Sequence, residues 1–417
     1  MNCRHCRAPL ARHLVDLGAA PPSNAYLTAE GLHAPERWYP LRVLVCETCW
    51  LVQTEDFAAA DELFTREYAY FSGFSATWVA HVEAYVAAMV DRFALGPQSH
   101  VVEVAANDGS LLQFIRRRGI PCLGIEPTTS TATAARTKGI EIVEAFFGVA
   151  LAHQLVADGR QADLIVANNV LAHVPDINDF VGGFTALLKP TGVATFEFPH
   201  LLHLLADSQF DTIYHEHFSY LSLTAVERIF TACGLQIFDV EELPTHGGSL
   251  RILAQRLDRR PHPRSPVVAG MLDRERAAGL RSPGRYAAFQ QRAERVKDDF
   301  LRFLLDAKAA GKKVAGYGAA AKGNTLLNFA GVRSDLLCCV ADRNPAKQGT
   351  FLPGSRIPIV DERHLHAIQP DYVVILPWNI RREVIGQLSG LAAAGCQFVT
   401  AVPRLEILSS PRRRLAA

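Results

Sequence analysis

The densest group of reactive side chains lies in the stretch DTIYHEHFSYLS. It contains Tyr214, His215, Glu216, His217 and Tyr220. A His-x-His pair can bind a metal, but the stretch lacks further ligands at helical spacing and the His-Glu-x-x-His pattern of zinc peptidases. Imidazole and carboxylate groups titrate near neutral pH, and tyrosine can donate to a developing oxyanion. The stretch therefore predicts general acid–base chemistry, with a polar capping turn as the alternative.

Two Cys-x-x-Cys pairs lie near the N-terminus, Cys3 with Cys6 and Cys46 with Cys49. Each such turn presents two sulfurs to one ion, and four thiolates suit tetrahedral Zn²⁺. The pairs predict a structural zinc site, with four unrelated core cysteines as the alternative. A redox role would need a thioredoxin-like unit, which the sequence lacks. The remaining cysteines are expected in cores: Cys122, Cys233, Cys338, Cys339 and Cys396.

The segment VVEVAANDGSLLQFI has the pattern of a strand, a tight turn and a helix. Glu103, Ala105, Asn107 and Gly109 occupy the positions of a Glu-x-Gly-x-Gly-x-Gly turn. Small residues there let the backbone approach a ligand at the carboxyl end of the first strand. The next strand ends in GIEP, which places Glu126 where it can hold ribose hydroxyls.

Two later loops belong to the same expected sheet edge. Ala145 and Phe146 lie at the end of the third predicted strand, IEIVEAFF, near where an adenine ring would lie, and Asn168 opens the loop after the fourth. These features resemble class I methyltransferases, and the resemblance implies S-adenosylmethionine as cofactor. An NAD-binding domain is the alternative. It is disfavoured by the missing Gly-x-Gly-x-x-Gly pattern and by Asp108, whose charge would oppose a pyrophosphate at the helix start.

A second glycine-rich turn occurs in KVAGYGAAAKGNTLL. It contains Gly318, and Lys322 and Asn324 stand at the start of the following helix. A helix N-terminus with free N–H groups and a lysine suits a pyrophosphate, and Asp342 follows the next strand where a ribose-binding acid would lie. Taken alone, the block suggests NAD binding, but the spacing differs from Gly-x-Gly-x-x-Gly. A domain that serves only packing is a further alternative.

These groups need an α/β framework to position them. Strand-like and helix-like stretches alternate over residues 99–255 and again from residue 311, which predicts two mostly parallel sheets covered on both faces. Residues 256–284 are rich in Pro, Arg and Gly and indicate a linker. The predicted parts are a zinc-binding module at 1–60, a Rossmann-like methyltransferase domain at 61–255, a linker and helix at 256–310 and a second Rossmann-like domain at 311–417.

The composition is that of an ordinary globular protein, with 417 residues, 49% hydrophobic residues and a net charge of +1. This charge balance lacks the excess of basic residues that is typical of proteins that bind nucleic acid or a membrane surface. The N-terminus lacks the apolar core of a signal peptide, and no stretch reaches the roughly 18 to 20 apolar residues of a membrane helix. We expect a cytoplasmic monomer without nucleic-acid or membrane partners.

Several motifs occur here in the order that one family shows. They are the two Cys-x-x-Cys pairs, EYAYFSGFS, EVAANDG, YHEHFSYLS, PTHGGS and GYGAAAKGNTLLN. Together they resemble the sugar C-methyltransferases of deoxysugar biosynthesis, of the type that methylates C3 of a dTDP-4-keto-deoxysugar. The resemblance covers nearly the whole chain. It implies a zinc module, an S-adenosylmethionine domain and a second Rossmann-like domain that completes the site for a nucleotide-linked sugar.

The resemblance also implies roles for single residues. The catalytic set falls on Tyr214, Glu216, His217, His173 and Tyr70. Tyr68 is the alternative alignment for the last of these, and His215 departs from the family's pattern, which gives two candidate bases. The expected substrate-binding set is His246, Gly318, Lys322 and Asn324.

The implied mechanism starts from the acidity of a proton on the carbon next to a ketone. His217 would remove this proton, with Glu216 orienting it, while Tyr214 and Tyr70 would hydrogen-bond the sugar and the enolate oxygen. The enolate carbon would then take the methyl group. The alternatives are an O- or N-methyltransferase of a small molecule, an NAD-dependent sugar-nucleotide oxidoreductase and a zinc-ribbon adaptor.

Overall fold

The structure is a computed structural model that describes residues 1–57, 63 and 71–408. The chain divides into two compact units, each assembled from separate segments. The first unit contains Met1–Arg12, Leu44–Leu202 and His217–Arg285. The second contains His13–Val43, His203–Glu216 and Tyr286–Ala417.

The N-terminal segments form short strands around the cysteine pairs. The strands are β1 (Arg12–Ala20), β2 (Tyr39–Val45) and β3 (Val52–Thr54). In the first unit, β3 pairs antiparallel with a two-residue strand, so that Val52 lies opposite Tyr220. The main chain of the cysteine module is thereby fixed by ladder hydrogen bonds on one side.

The first unit is built around a seven-stranded sheet. The strands after β3 are β4 (Val101–Val104), β5 (Cys122–Ile125), β6 (Ile142–Val143), β7 (Ala162–Asn168), β8 (Leu188–Pro199), β9 (Ser219–Tyr220), β10 (Leu235–Leu243) and β11 (Ser249–Arg256). The sheet has the order β10-β11-β8-β7-β4-β5-β6. The strands from β4 to β8 pair in parallel, and β11 is antiparallel to both neighbours. The sequence predicted every strand of this sheet except β11.

Helices cover both faces of this sheet, as expected for parallel strands buried on both sides. The helices along this part of the chain are α1 (Ala76–Phe93), α2 (Leu112–Arg117), α3 (Thr129–Thr137), α4 (Val149–Ala157), α5 (Ile177–Leu187), α6 (Leu201–Ala206), α7 (Leu223–Ala232), α8 (Pro266–Ala277) and α9 (Gly284–Ala287). Of these, α6 and α9 contain residues of both units. The contact of the helices with the sheet is partly aromatic. Phe196 of β8 stacks with Phe184 of α5 and Phe230 of α7, with ring centroids 4.5 and 4.8 Å apart.

The segment that the sequence indicated as a linker contains a packed helix. In α8, Ser265 caps the N-terminus and Pro266 takes the first helical position. Proline is tolerated there because the N–H it lacks would have no acceptor within the helix. Val268 and Met271 of this helix are buried in the core of the first unit. The Pro and Arg residues around the helix obscured its pattern in the sequence.

The second unit contains a six-stranded sheet of order β14-β13-β12-β15-β16-β17. Its strands are β12 (Val314–Tyr317), β13 (Val340–Ala341), β14 (Ile359–Val360), β15 (Tyr372–Ile375), β16 (Gln397–Thr400) and β17 (Glu406–Leu408). All pair in parallel except β17. Its helices are α10 (Phe289–Ala309), α11 (Ala321–Phe329), α12 (Glu362–Ile368), α13 (Arg381–Gln387) and α14 (Ser389–Ala393).

The structure confirms the expected α/β class with two mostly parallel sheets. The short strands β14 and β17 form the two edges of the second sheet. The four-part division at residues 60, 255 and 310 remains a prediction. Among the described residues, no helix has both the length and the apolar character that a bilayer crossing demands.

Candidate functional site

The four predicted zinc ligands converge in the first unit. The sulfurs of Cys3, Cys6, Cys46 and Cys49 all lie within 4.8 Å of one another. Gln53 donates its side-chain N–H to the sulfur of Cys3 at 3.3 Å. The four thiols are mostly buried, and no further His, Cys, Asp or Glu in the described part of the chain joins the cluster. This arrangement fits a closed tetrahedral Zn²⁺ site of structural type.

The turn after β4 has the backbone that the glycine pattern demands. Ala105, Asn107 and Gly109 have φ angles of 57°, 49° and 73°. Only glycine adopts such angles without strain, so the first two residues hold the left-handed conformation against a local penalty. At Gly109 an added Cβ would lie 2.3 Å from Ile140 Cδ1. The turn therefore keeps its shape although two of its glycine positions carry side chains.

Glu126 lies beside this turn, at the carboxyl end of β5. Its Oε2 accepts a hydrogen bond from the backbone N–H of Asn107 at 2.9 Å, and its Oε1 accepts one from the N–H of Thr128 at 3.0 Å. The carboxylate thus fixes the turn and the start of α3 at the same edge of the sheet. The structure brings together the turn and the acid that the sequence assigned to the same ligand.

Buried polar atoms without a protein partner mark the same edge. They are Glu103 Oε2 and both polar side-chain atoms of Asn168. Burial raises the pKa of Glu103 well above its usual range, and the nearby Asp108 and Glu126 raise it further. Orphaned buried groups are rare because each costs desolvation energy. Their presence on neighbouring strands β4 and β7 fits a polar ligand that supplies the missing hydrogen bonds.

The loop after β6 places the other two predicted cofactor residues. Ala145 is partly buried, and Phe146 is 53% exposed. Burying an exposed aromatic ring against another flat ring is favourable. The ring of Phe146 is therefore accessible, and its contact with an adenine stays a prediction.

Two of the predicted catalytic residues meet in the first unit. His173 ends a 3₁₀ turn after β7, and its ring stands edge-on to that of His217 with centroids 4.5 Å apart. The main chain of His217 is held by Thr54, whose hydroxyl donates to the His217 carbonyl at 3.1 Å. Both imidazoles are half-buried. A pair of facing imidazoles can accept and pass on a proton.

The other members of the run belong to the second unit. Glu216 is buried and Tyr214 is half-buried. His215 is buried between the carbonyl oxygens of Tyr39 and Pro40, each 3.3 Å from its Nε2, and burial lowers its pKa. The ring of His215 thus contacts two backbone carbonyl oxygens, and which of the two histidines acts as the base stays a prediction.

The aromatic segment before α1 lies partly outside the described residues, and this includes Tyr68 and Tyr70. Its continuation, the 3₁₀ turn Ser72–Phe74, is tied to the cofactor turn. The Ser72 N–H donates to Asn107 Oδ1 at 2.9 Å, and the Gly73 N–H donates to Asp108 Oδ2 at 3.2 Å. The segment and the turn are therefore coupled by hydrogen bonds.

His246 lies in the turn between β10 and β11, with a φ of 54°. Its ring centroid is 6.0 Å from that of Trp78. The adjacent Thr245 donates to the buried carboxylate of Glu197 at 2.9 Å. The same carboxylate binds Arg251 and His81, each at 2.9 Å. Sequence reasoning missed this network, which holds the predicted substrate loop on the sheet.

The second glycine-rich turn makes internal contacts at each predicted position. Gly318 has a φ of 86° and packs against Pro377, whose Cδ would lie 2.5 Å from an added Cβ. Asp342 Oδ2 accepts from the N–H of Ala319 at 2.7 Å, and Asn324 donates its side-chain N–H to Ser23 O at 2.6 Å. Through these contacts, the turn and the start of the following helix pack against other residues of the second unit.

Lys322 lies over the ring of Trp378, with Nζ 4.6 Å from the centroid, and donates to Asn379 Oδ1 at 2.8 Å. The indole N–H of Trp378 donates to Asp211 Oδ2 at 2.7 Å. Burial lowers the pKa of Lys322 and raises that of Asp211 to about 6. Sequence reasoning identified Lys322 but missed its partners, because they come from distant loops.

Family models match three consecutive parts of the chain. They describe a zinc binding domain at residues 3–64, a methyltransferase domain at 78–240 and a C-methyltransferase C-terminal domain at 244–403. The C-methyltransferase NovU of Streptomyces niveus is 34% identical over 409 residues, which cover 98% of this chain and 97% of NovU. The similarity thus extends through all three parts.

Solved methyltransferases are similar to part of the chain. Magnesium protoporphyrin IX methyltransferase from Synechocystis, with bound SAH, is 17% identical with a TM-score of 0.34, over 43% of this chain and 81% of that chain. An S-adenosylmethionine-dependent methyltransferase from Clostridium acetobutylicum is 12% identical with a TM-score of 0.34, over 42% of this chain and 90% of that chain.

Proposed function

This chain belongs to the C-methyltransferase family, and from that premise we propose that it methylates the carbon next to the ketone of a nucleotide-linked 4-keto-deoxysugar. The enzyme is an S-adenosylmethionine-dependent methyltransferase with a zinc-binding module. The sugar, its C3 position, dTDP as carrier and the roles of single residues are the proposed part.

The residues at the edge of the first sheet suit the cofactor. Glu103, Glu126 and Asn168 would hold its polar groups, the turn from Ala105 to Gly109 would pass close to it, and Phe146 would lie along its adenine. When bound, S-adenosylmethionine supplies an electrophilic methyl group. The zinc site fits a structural role because all four ligands come from the protein.

The carbon next to a ketone becomes a nucleophile once its proton is removed. We assign the removal of that proton to His217. His173 is the neighbouring imidazole, which can share the proton with His217. A positioned base contributes about 10² to 10⁴ in rate. Tyr214 and Tyr70 would donate to the oxygen that becomes an enolate, and Glu216 would tune the base. Removal of the proton from carbon requires such a base, whereas binding of the sugar alone does not.

The contact between His173 and His217 carries the proposal. The two imidazoles come from segments separated by more than forty positions, and the resemblance implies a catalytic role for both. They lie in the unit that also contains the cofactor turn. The predicted substrate residues His246, Gly318, Lys322 and Asn324 stay a prediction.

The test uses the full chain with methyl-labelled S-adenosylmethionine and a panel of dTDP-4-keto-deoxysugars in D₂O. The expected product gains one labelled methyl group on carbon, and His217→Asn abolishes both transfer and deuterium exchange at the α-carbon. His153→Asn, on an exposed face of α4, is the matched control and should leave both unchanged.

Two results would contradict the proposal. Label found on oxygen or nitrogen would make the enzyme an O- or N-methyltransferase. If the chain binds S-adenosylmethionine but shows neither methyl transfer nor deuterium exchange with any 4-keto sugar, such a sugar is not its substrate.

A further inference from the structure

One amide holds both oxygens of the Glu216 carboxylate. Asn24 Nδ2 lies 2.7 Å from Oε1 and 2.9 Å from Oε2 of Glu216. Glu216 is only 2% exposed. Because ionised carboxylate oxygens only accept, the amide nitrogen must face them, which also fixes the amide's orientation. The Tyr26 hydroxyl lies 3.3 Å from the other end of the amide, at Oδ1.

Helix α11 fixes the backbone on both sides of this pair. Asn324 donates to the carbonyl of Ser23, the residue before Asn24, at 2.6 Å. The next residue, Thr325, donates to the carbonyl of Ile213 at 2.7 Å. Both side chains of α11 are buried. Two consecutive residues of one helix therefore hold the two chain segments that carry Asn24 and Glu216.

The glycine-rich turn before α11 holds the same N-terminal segment. The Tyr26 hydroxyl donates to the carbonyl of Ala319 at 2.6 Å, and Lys347 donates to that carbonyl at 2.8 Å. Lys347 Nζ also lies 5.1 Å from the centroid of the Tyr26 ring. The Ala319 carbonyl of this turn thus binds a tyrosine and a lysine of the same unit.

We propose that Asn24 is a positioning residue for Glu216, and that helix α11 with its turn is the scaffold of this pair. The inference rests on the proposed function, which makes Glu216 part of the catalytic run. A neutral amide orients a carboxylate and leaves its charge intact, whereas lysine or arginine would compensate that charge. A carboxylate that tunes a base acts from a fixed orientation, which this clamp supplies.

The test is a double-mutant cycle of Asn24→Ala and Glu216→Gln on the full chain, assayed with a dTDP-4-keto-deoxysugar that the wild type methylates. Asn24→Ala should lower kcat by about ten- to a hundred-fold, the range expected for a hydrogen bond to a charged group. The Kd for S-adenosylmethionine should not change. In the Glu216→Gln background, Asn24→Ala should change kcat by less than twofold. Gln154→Ala, an exposed residue of α4, is the control.

Several outcomes would overturn the inference. These are a kcat within twofold of wild type for Asn24→Ala, an equal loss with and without Glu216, or coupling in thermal melting without coupling in kcat. Asn24→Leu, which is similar in size and removes the donor without adding a charge, replaces the alanine variant if that variant does not fold. Full activity of Glu216→Gln would instead defeat the proposed catalytic run, and with it the role of Asn24.

Discussion

His200 Nε2 and Glu275 Oε1 lie 2.7 Å apart with both side chains fully buried. The same carboxylate accepts the backbone N–H groups of Leu223 and Thr224, each at 2.7 Å, at the start of α7. Glu275 thereby joins α8 to the strand end that carries His200 and to the N-terminus of α7. The pair lies within the first unit and has no part in the proposed chemistry, so its effect should be on stability.

Glu275→Gln should lower the melting temperature of the full chain. Glutamine offers one neutral acceptor oxygen in place of the carboxylate, so buried donors at His200, Leu223 and Thr224 lose their charged acceptor, and a hydrogen bond to a charged group contributes about 1.5 to 3 kcal/mol. Differential scanning calorimetry measures the change. Glu83→Gln on an exposed face of α1 is the control and should melt like the wild type. Equal melting of both variants would show that the pair contributes nothing.

The stabilisation from Glu275 should depend on pH in a defined direction. Burial alone would raise the pKa of Glu275, but the hydrogen bond and charge of His200 and the donors at α7 bring the pKa below its usual range. A carboxyl with a lowered pKa stabilises the fold above its unfolded pKa of about 4.3, and this is lost as the pH falls through the folded pKa. The melting difference between wild type and Glu275→Gln should therefore shrink as the pH falls below about 4. A difference that grows in acid would contradict this.

Cys46→Ser should remove zinc and destabilise the chain. Structural zinc sites contribute folding energy directly, and three remaining thiols make a weaker site. Metal analysis should find one zinc per wild-type chain and much less in the variant, together with a lower melting temperature. Cys122→Ser, whose sulfur lies outside the cluster, should retain the metal. Equal zinc content in both variants would exclude the four-sulfur site.

Asn168→Leu should stabilise the chain without cofactor and weaken cofactor binding. Both polar atoms of this amide are buried without a protein partner, and an apolar side chain of similar size removes that desolvation penalty. The apo melting temperature should rise by a few degrees, and the Kd for S-adenosylmethionine should rise at least about tenfold. Calorimetric titration measures the Kd. Unchanged binding would show that Asn168 does not contact the cofactor.

Ala105→Gly should leave the fold intact and raise its stability. Ala105 has a φ of 57°, which costs an alanine roughly 1 kcal/mol more than a glycine. Urea unfolding measures the difference, and the Kd for S-adenosylmethionine should change by less than twofold. Ala106→Gly, on the neighbouring buried residue without a positive φ, should instead destabilise.

The elements with regular patterns were predictable from the sequence. Strands such as β7 are runs of buried apolar residues, and the Cys-x-x-Cys pairs carry their chemistry in their spacing. Strand β11 was missed because Arg251 interrupts its apolar run. That arginine is buried only because Glu197 and Glu241 pair with it, and pairing between distant residues leaves no local signal.

The site was predictable in part. Residues 103–109 and His217 stand in recognisable motifs, and the contact of His217 with His173 agrees with the resemblance. Asn24 was missed because 192 positions separate it from Glu216, and a single asparagine after two prolines has the pattern of an ordinary turn. The internal contacts of Asn324 and Gly318 likewise depend on tertiary partners that composition does not reveal.

The chain passes from one compact unit to the other five times, after Arg12, Val43, Leu202, Glu216 and Arg285. A single cut therefore cannot release either unit as a continuous polypeptide. Truncation at residue 60, 255 or 310 would in each case separate segments that belong to one compact unit. Exchange of parts between related enzymes would have to transfer several segments at once, so the useful unit of engineering and of recombination is the whole chain.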